Sequence, residues 1–144
     1  MERSVAAIFR PSYKTRWSRP LILYRVAAGF PSPAEDYVEG RIDLNRDLIR
    51  HPIATFYIRV AGDSMTGVGI DAGDILIVDR AAETCDGHIV VARINDELCV
   101  KQLCIERAGK IWLLSANAEY QPIEIKEGMD FEVWGRVMWS IKPH

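Results

Sequence analysis

The sequence predicts a mainly β protein: a curled, mostly antiparallel sheet system with a flexible N-terminal arm and one or two short helices. Three observations carry that prediction. From Pro52 onward, short segments rich in β-branched, aromatic and aliphatic residues recur between Gly, Asp and Asn turn signals. Helix-start signals are confined to residues 32–49. The first thirty or so residues carry scattered basic side chains and two prolines, and they are expected to lie outside the sheet.

In chain order, the longest early apolar run of the arm is Val5-Ala6-Ala7-Ile8-Phe9, closed by Pro11; Pro20 interrupts again. Residues before proline are pushed towards extended backbone, so this stretch reads as a loose arm. Ser32-Pro33-Ala34-Glu35 is a helix start: Ser32 caps, Pro33 suits the first helical position and Glu35 completes a capping box. Asp36 favours the same N-terminus and Gly40 can end a short helix. A second helical stretch is expected over residues 43–49, stopped by Pro52. Strands follow at residues 55–60, 74–79, 88–94, 97–105, 110–115 and 131–141, with Asn95-Asp96 a two-residue hairpin signal.

Composition bounds the function without naming it. The 144 residues (16.3 kDa) are enough for one ordinary domain, and 49% apolar with 26% charged residues argues against wholesale disorder. No apolar run approaches the ~20 residues of a membrane span, so no membrane partner is expected. A net charge of −2 is too balanced to mark the whole chain as a nucleic-acid binder. The charge is nevertheless uneven. Six bases stand against one acid up to Ala28, a net +5, which leaves −7 on the remainder. Such an arm can contact nucleic acid or lie back on its own domain. Its composition resembles some organelle transit peptides, but it has no compact run like that of a secretory signal. Cys85, Cys99 and Cys104 form no CxxC pair, and His51, His88 and His144 share no ligand spacing. No cofactor, no metal and no phosphate-binding glycine loop is expected.

Two positions can do chemistry. Ser64, in Gly62-Asp63-Ser64-Met65, sits just after a strand and before Gly67-Val68-Gly69. A junction of that kind can expose a hydroxyl beside unused backbone N–H groups that would stabilise an oxyanion; a plain turn serine is the alternative. Lys101 is the candidate base. Period-two alternation along residues 97–105 puts it on one face with Cys99 and Leu103. Burial there disfavours the ammonium, and from about 10.4 a fall of roughly three units makes neutral amine abundant near neutral pH. A snorkelling lysine on a sheet edge is the alternative. A histidine-based triad is the competing arrangement, with His88 left open as its base, although His88 follows Gly87 at a strand start, where turn packing also accounts for it. A third element is a possible internal substrate: Ala28-Gly29, within Val26-Ala27-Ala28-Gly29-Phe30-Pro31, has minimal bulk and could enter a narrow cleft extended. An ordinary hinge is the alternative there.

Taken together these residues resemble the UmuD branch of the LexA-type self-cleaving serine peptidases. The resemblance runs from about Gly29 to the C-terminus and rests on five blocks: residues 29–39, Arg41-Ile42-Asp43-Leu44-Asn45, Gly62-Asp63-Ser64-Met65, Gly73-Asp74-Ile75-Leu76-Ile77-Val78-Asp79 and Val100-Lys101. The 37 residues from Ser64 to Lys101 and the 36 from Ala28 to Ser64 fit the family layout. The resemblance implies a fold of the LexA C-terminal-domain type, Ser64 as nucleophile, Lys101 as general base and Ala28-Gly29 as the bond cut. It divides the chain into a basic arm, 1–28, removed by self-cleavage; a linker with short helices, 29–53; and a β-rich peptidase-like domain, 54–144. It further implies a cytoplasmic homodimer whose cleavage is stimulated by a RecA filament on single-stranded DNA during the SOS response. The trimmed body then serves a UmuC-type Y-family translesion polymerase. A non-cleaving regulatory binding module that retains the fold is the other function class.

Overall fold

A computed structural model describes residues 4–14, 18–22 and 38–144; for 18–22 and 38–41 it describes the backbone alone. The described residues form two compact units: one comprises the residues up to Pro11 together with His51–His144, the other Ser12–Arg50.

The first unit is an eight-stranded antiparallel sheet. Its strands are β1 (Val5–Phe9), β4 (Thr55–Val60), β5 (Ile75–Asp79), β6 (Ile89–Ile94), β7 (Glu97–Ile105), β8 (Ile111–Leu114), β9 (Ile123–Ile125) and β10 (Phe131–Ile141). Their order across the sheet is β1-β4-β5-β10-β6-β7-β8-β9. The predicted fold class is therefore the one observed. β10 joins the two halves: residues Phe131 to Arg136 pair with β6, and Arg136 to Ile141 pair with β5. Register shifts at Val133/Gly135 and Val137/Trp139 let this long strand bend, as bulges do where a sheet curls. Gly135 is required at the bend, because a Cβ there would stand 2.7 Å from Val78 Cγ1.

Both faces of the central strands are buried, and alternation sorts them. Ile58, Val60, Met65, Leu76, Val78, Val91 and Val100 form one cluster. Val90, Ala92, Ile94, Cys99, Leu103 and Leu113 form the other. Adjacent residues of β6 and β7 thus serve opposite cores, the signature of a pleated strand covered on both sides. The β6–β7 hairpin turns at Asn95-Asp96 as predicted, with Asn95 in the left-handed region at φ 54°.

In the second unit, β2 (Ser18–Ile22) pairs antiparallel with β3 (Val38–Asp43), and α1 (Leu44–Leu48) follows directly. The Asp43 carboxylate caps α1 by accepting from the Asn45 N–H at 3.1 Å. The predicted stretch over 43–49 is therefore a helix of five residues.

Two expectations are corrected. Gly40 does not end a helix: it lies inside β3, where pairing with β2 overrides the local helix signal; the predicted start at Ser32 to Asp36 lies outside the described residues. Nor do the first thirty residues stay outside the sheet. Val5–Phe9 is an edge strand on β4, with Val5 packed against the core cluster and the Ser4 carbonyl accepting from Ala61 N–H at 2.8 Å. The local signs of looseness, bases and prolines, say nothing about an open strand edge some fifty residues away in sequence.

Candidate active site

Ser64 is set by the way β4 leaves the sheet. Gly62, at φ 78°, takes a backbone bend that side chains disfavour. Met65 then plugs into the core beside Ile58 and Val60, at 2% exposure. A single 3₁₀ turn, Thr66–Val68, ends at Gly69 in the left-handed region. Ser64 is thereby held at the core edge, 4% exposed. The turn consumes its own donors: Thr66 N–H donates to the Asp63 carbonyl, Val68 and Ile70 to Met65, Gly69 to Thr66, and Gly67 to the Ala116 carbonyl at 2.7 Å. Among the described residues the N–H groups of Ser64 and Met65 donate to nothing.

Lys101 is on β7, an interior strand between β6 and β8, directly opposite Val90. It is 3% exposed. Cys99 and Leu103, its neighbours on the same face, are buried as alternation required. An edge lysine reaching into water is therefore excluded. Burial also pushes the Cys99 thiol up, partly offset by the charge at Lys101. Lys101 Nζ donates to Ser115 Oγ at 2.8 Å and lies 5.2 Å from the centre of the Tyr120 ring.

The segment from Ser115 to Tyr120 joins the two positions. Ser115 holds Lys101; the Ala116 carbonyl accepts from Gly67. Asn117 Nδ2 donates to the Asp63 carbonyl at 3.0 Å, and the Tyr120 hydroxyl donates to the Asp63 carboxylate. Asn117 Oδ1 in turn accepts from Glu119 N–H, which fixes the amide that reaches Asp63. One short loop therefore grips the residue before Ser64, the turn after it and the side-chain nitrogen of Lys101.

Sequence reasoning missed this loop. A signal for Ser115 was present: the β7–β8 pairing matches Gln102 with Leu114, so the next position in register sets Lys101 across from Ser115. Nothing local marks Asn117 or Tyr120, whose partner Asp63 is more than fifty residues earlier. His88 is taken up in its own turn, accepting from Cys85 N–H at 3.0 Å. His51 pairs with buried Asp79 at 2.6 Å. Ala28 and Gly29 lie outside the described residues.

The chain is similar along most of its length to known proteins. The chain is 42% identical over 113 residues to Protein ImpA of Salmonella typhimurium, covering 78% of each chain. It is 38% identical over 139 residues to Protein MucA of Escherichia coli, covering 95% of this chain and 94% of that one. To LexA repressor 1 of Pseudomonas putida it is 46% identical over 104 residues, 72% of this chain and 50% of the repressor. The profile of the Peptidase S24-like family matches residues 20–138, which takes in Ser64, Lys101 and the loop that joins them. With most of its length matched in this way, the chain belongs to the Peptidase S24-like family, the self-cleaving serine peptidases of UmuD and LexA type.

Proposed function

We propose that this chain cuts its own backbone between Ala28 and Gly29, with Ser64 as nucleophile and Lys101 as general base. The observation that carries the reading is the burial of Lys101 on an interior strand, bonded through Ser115 to the loop that also grips the Ser64 turn. A buried amine is biased towards its neutral form. Neutral lysine keeps two N–H donors and one lone pair. One N–H stays on Ser115 Oγ while the lone pair takes the proton of Ser64 Oγ. The oxygen attacks the Ala28 carbonyl carbon, and the N–H groups of Ser64 and Met65 are available to hold the oxyanion. Collapse breaks the bond to Gly29, whose amine receives the proton from Lys101. Water then gives a proton to the same lysine and attacks the ester carbonyl; the bond to Ser64 breaks, Ser64 Oγ takes that proton back from Lys101, and Ala28 leaves as a carboxylic acid that ionises to the carboxylate.

In this reading a RecA filament on single-stranded DNA accelerates the cut by binding the cleavage-competent conformation better than the resting one. The trimmed body, a homodimer, acts in the cytoplasm as an accessory subunit of a UmuC-type Y-family polymerase in SOS translesion synthesis. Three free cysteines fit a reducing compartment, and no helix among the described residues is long and apolar enough to cross a membrane. The test is intact-mass measurement of the full chain after incubation with RecA filaments. A fragment beginning at Gly29, lost in Ser64→Ala and in Lys101→Ala, is expected. An unchanged mass with active filaments would instead assign the chain to the non-cleaving regulatory class.

A further inference from the structure

Both described strands that precede the proposed cut are paired with strands that follow it. β1 lies antiparallel on β4, from Val5 opposite Val60 to Phe9 opposite Tyr57. Its start is anchored: Ser4 is buried, its carbonyl accepts from Ala61 N–H, and Val5 packs against the core. Its end is anchored as well, with the Arg10 guanidinium 5.1 Å from the centre of the Phe56 ring. β2 pairs with β3, from Ser18 opposite Asp43 to Ile22 opposite Val38. Hydrolysis between residues 28 and 29 breaks none of these contacts.

We infer that the edge of β4 covered by β1 and the edge of β3 covered by β2 are peptide-binding surfaces whose occupants are the chain's own β1 and β2, so that the immediate product of cleavage is a nicked two-chain complex. This rests on the proposed cut at Ala28-Gly29. Before the cut, the tether presents β1 to β4 at an effective concentration of roughly millimolar. Afterwards the pairing becomes bimolecular and yields to dilution or to a competing strand. β4 has β5 as its other neighbour, so loss of β1 leaves it an open edge, the feature that recruits an extended segment of another chain.

The experiment separates this claim from self-cleavage by using the full Ser64→Ala chain with residues 26–31 replaced by the recognition sequence of a site-specific protease. After complete cutting, verified by denaturing mass measurement, the expected result is co-elution of the N-terminal peptide with the body in native gel filtration. A labelled synthetic peptide of residues 1–28 should exchange into the nicked chain and not into the uncut one. Val5→Asp should weaken retention about tenfold, while the uncut variant elutes as the parent does. Elution of the peptide as a separate species from the freshly cut chain, or failure of the labelled peptide to enter it, would overturn the inference while leaving the reading of the active site untouched.

Discussion

At Ser115 a single hydroxyl decides how the amine of Lys101 is turned. Its bond at 2.8 Å occupies one N–H and so restricts where the lone pair of the neutral amine can point. Ser115 is a positioning residue in this account, since it touches the base and not the bond being cut. Ser115→Ala should slow self-cleavage roughly fivefold, the equivalent of about 1 kcal/mol for one hydrogen bond. The pH–rate profile should move with it, and Ser115→Thr, which keeps the hydroxyl, should restore both. A rate loss with an unmoved profile and no rescue by threonine would reduce Ser115 to packing. Gly67 is constrained differently: a Cβ there would overlap the Ala116 carbonyl that its own N–H bonds. Gly67→Ala should therefore displace the Ser64 turn and lower the cleavage rate at least tenfold, measured as fragment formed per unit time, while melting stays cooperative.

Among the elements, β10 makes the largest demand on packing, because it pairs with both halves of the sheet. Gly135→Ala drives a methyl group into Val78, which is fully buried, and should cost about 1–3 kcal/mol in denaturant unfolding. A change below about 0.5 kcal/mol would show that the bend relaxes freely. The strands from 55 onward were legible because their alternation, turn glycines and Asn95-Asp96 are local signals, and β4 and β7 fall on their predicted residues. β9, only three residues long, is too short to show a period. β1 and β3 escaped for the opposite reason: their strand character comes from partners far along the chain, β4 and β2. The same distinction runs through the site. Ser64 and Lys101 could be singled out from turn chemistry and alternation, whereas the loop that joins them depends on long-range bonds to Asp63 and Gly67.

For the molecule as a whole, acid stability is tied to the C-terminus. Burial raises the Asp74 carboxyl, but the Asp71 N–H and the Lys142 ammonium together hold it below its ordinary value. A carboxyl depressed in the folded state stabilises fully above its unfolded pKa of about 3.9 and ceases to do so as pH falls through the folded value. Lys142→Ala should thus unfold at lower denaturant than the parent at neutral pH, and the gap should close in acid; a gap that persists there would assign the loss to packing. Self-cleavage by the pair of Ser64 and Lys101 is read out by the initial rate at which the fragment beginning at Gly29 forms between about pH 6 and about pH 10. Followed by intact mass in the full chain and in Lys101→Ala, the rate should climb with pH in the parent as neutral amine accumulates, and stay at background in the variant throughout. Cleavage by Lys101→Ala at the parent rate would remove Lys101 from the role of general base.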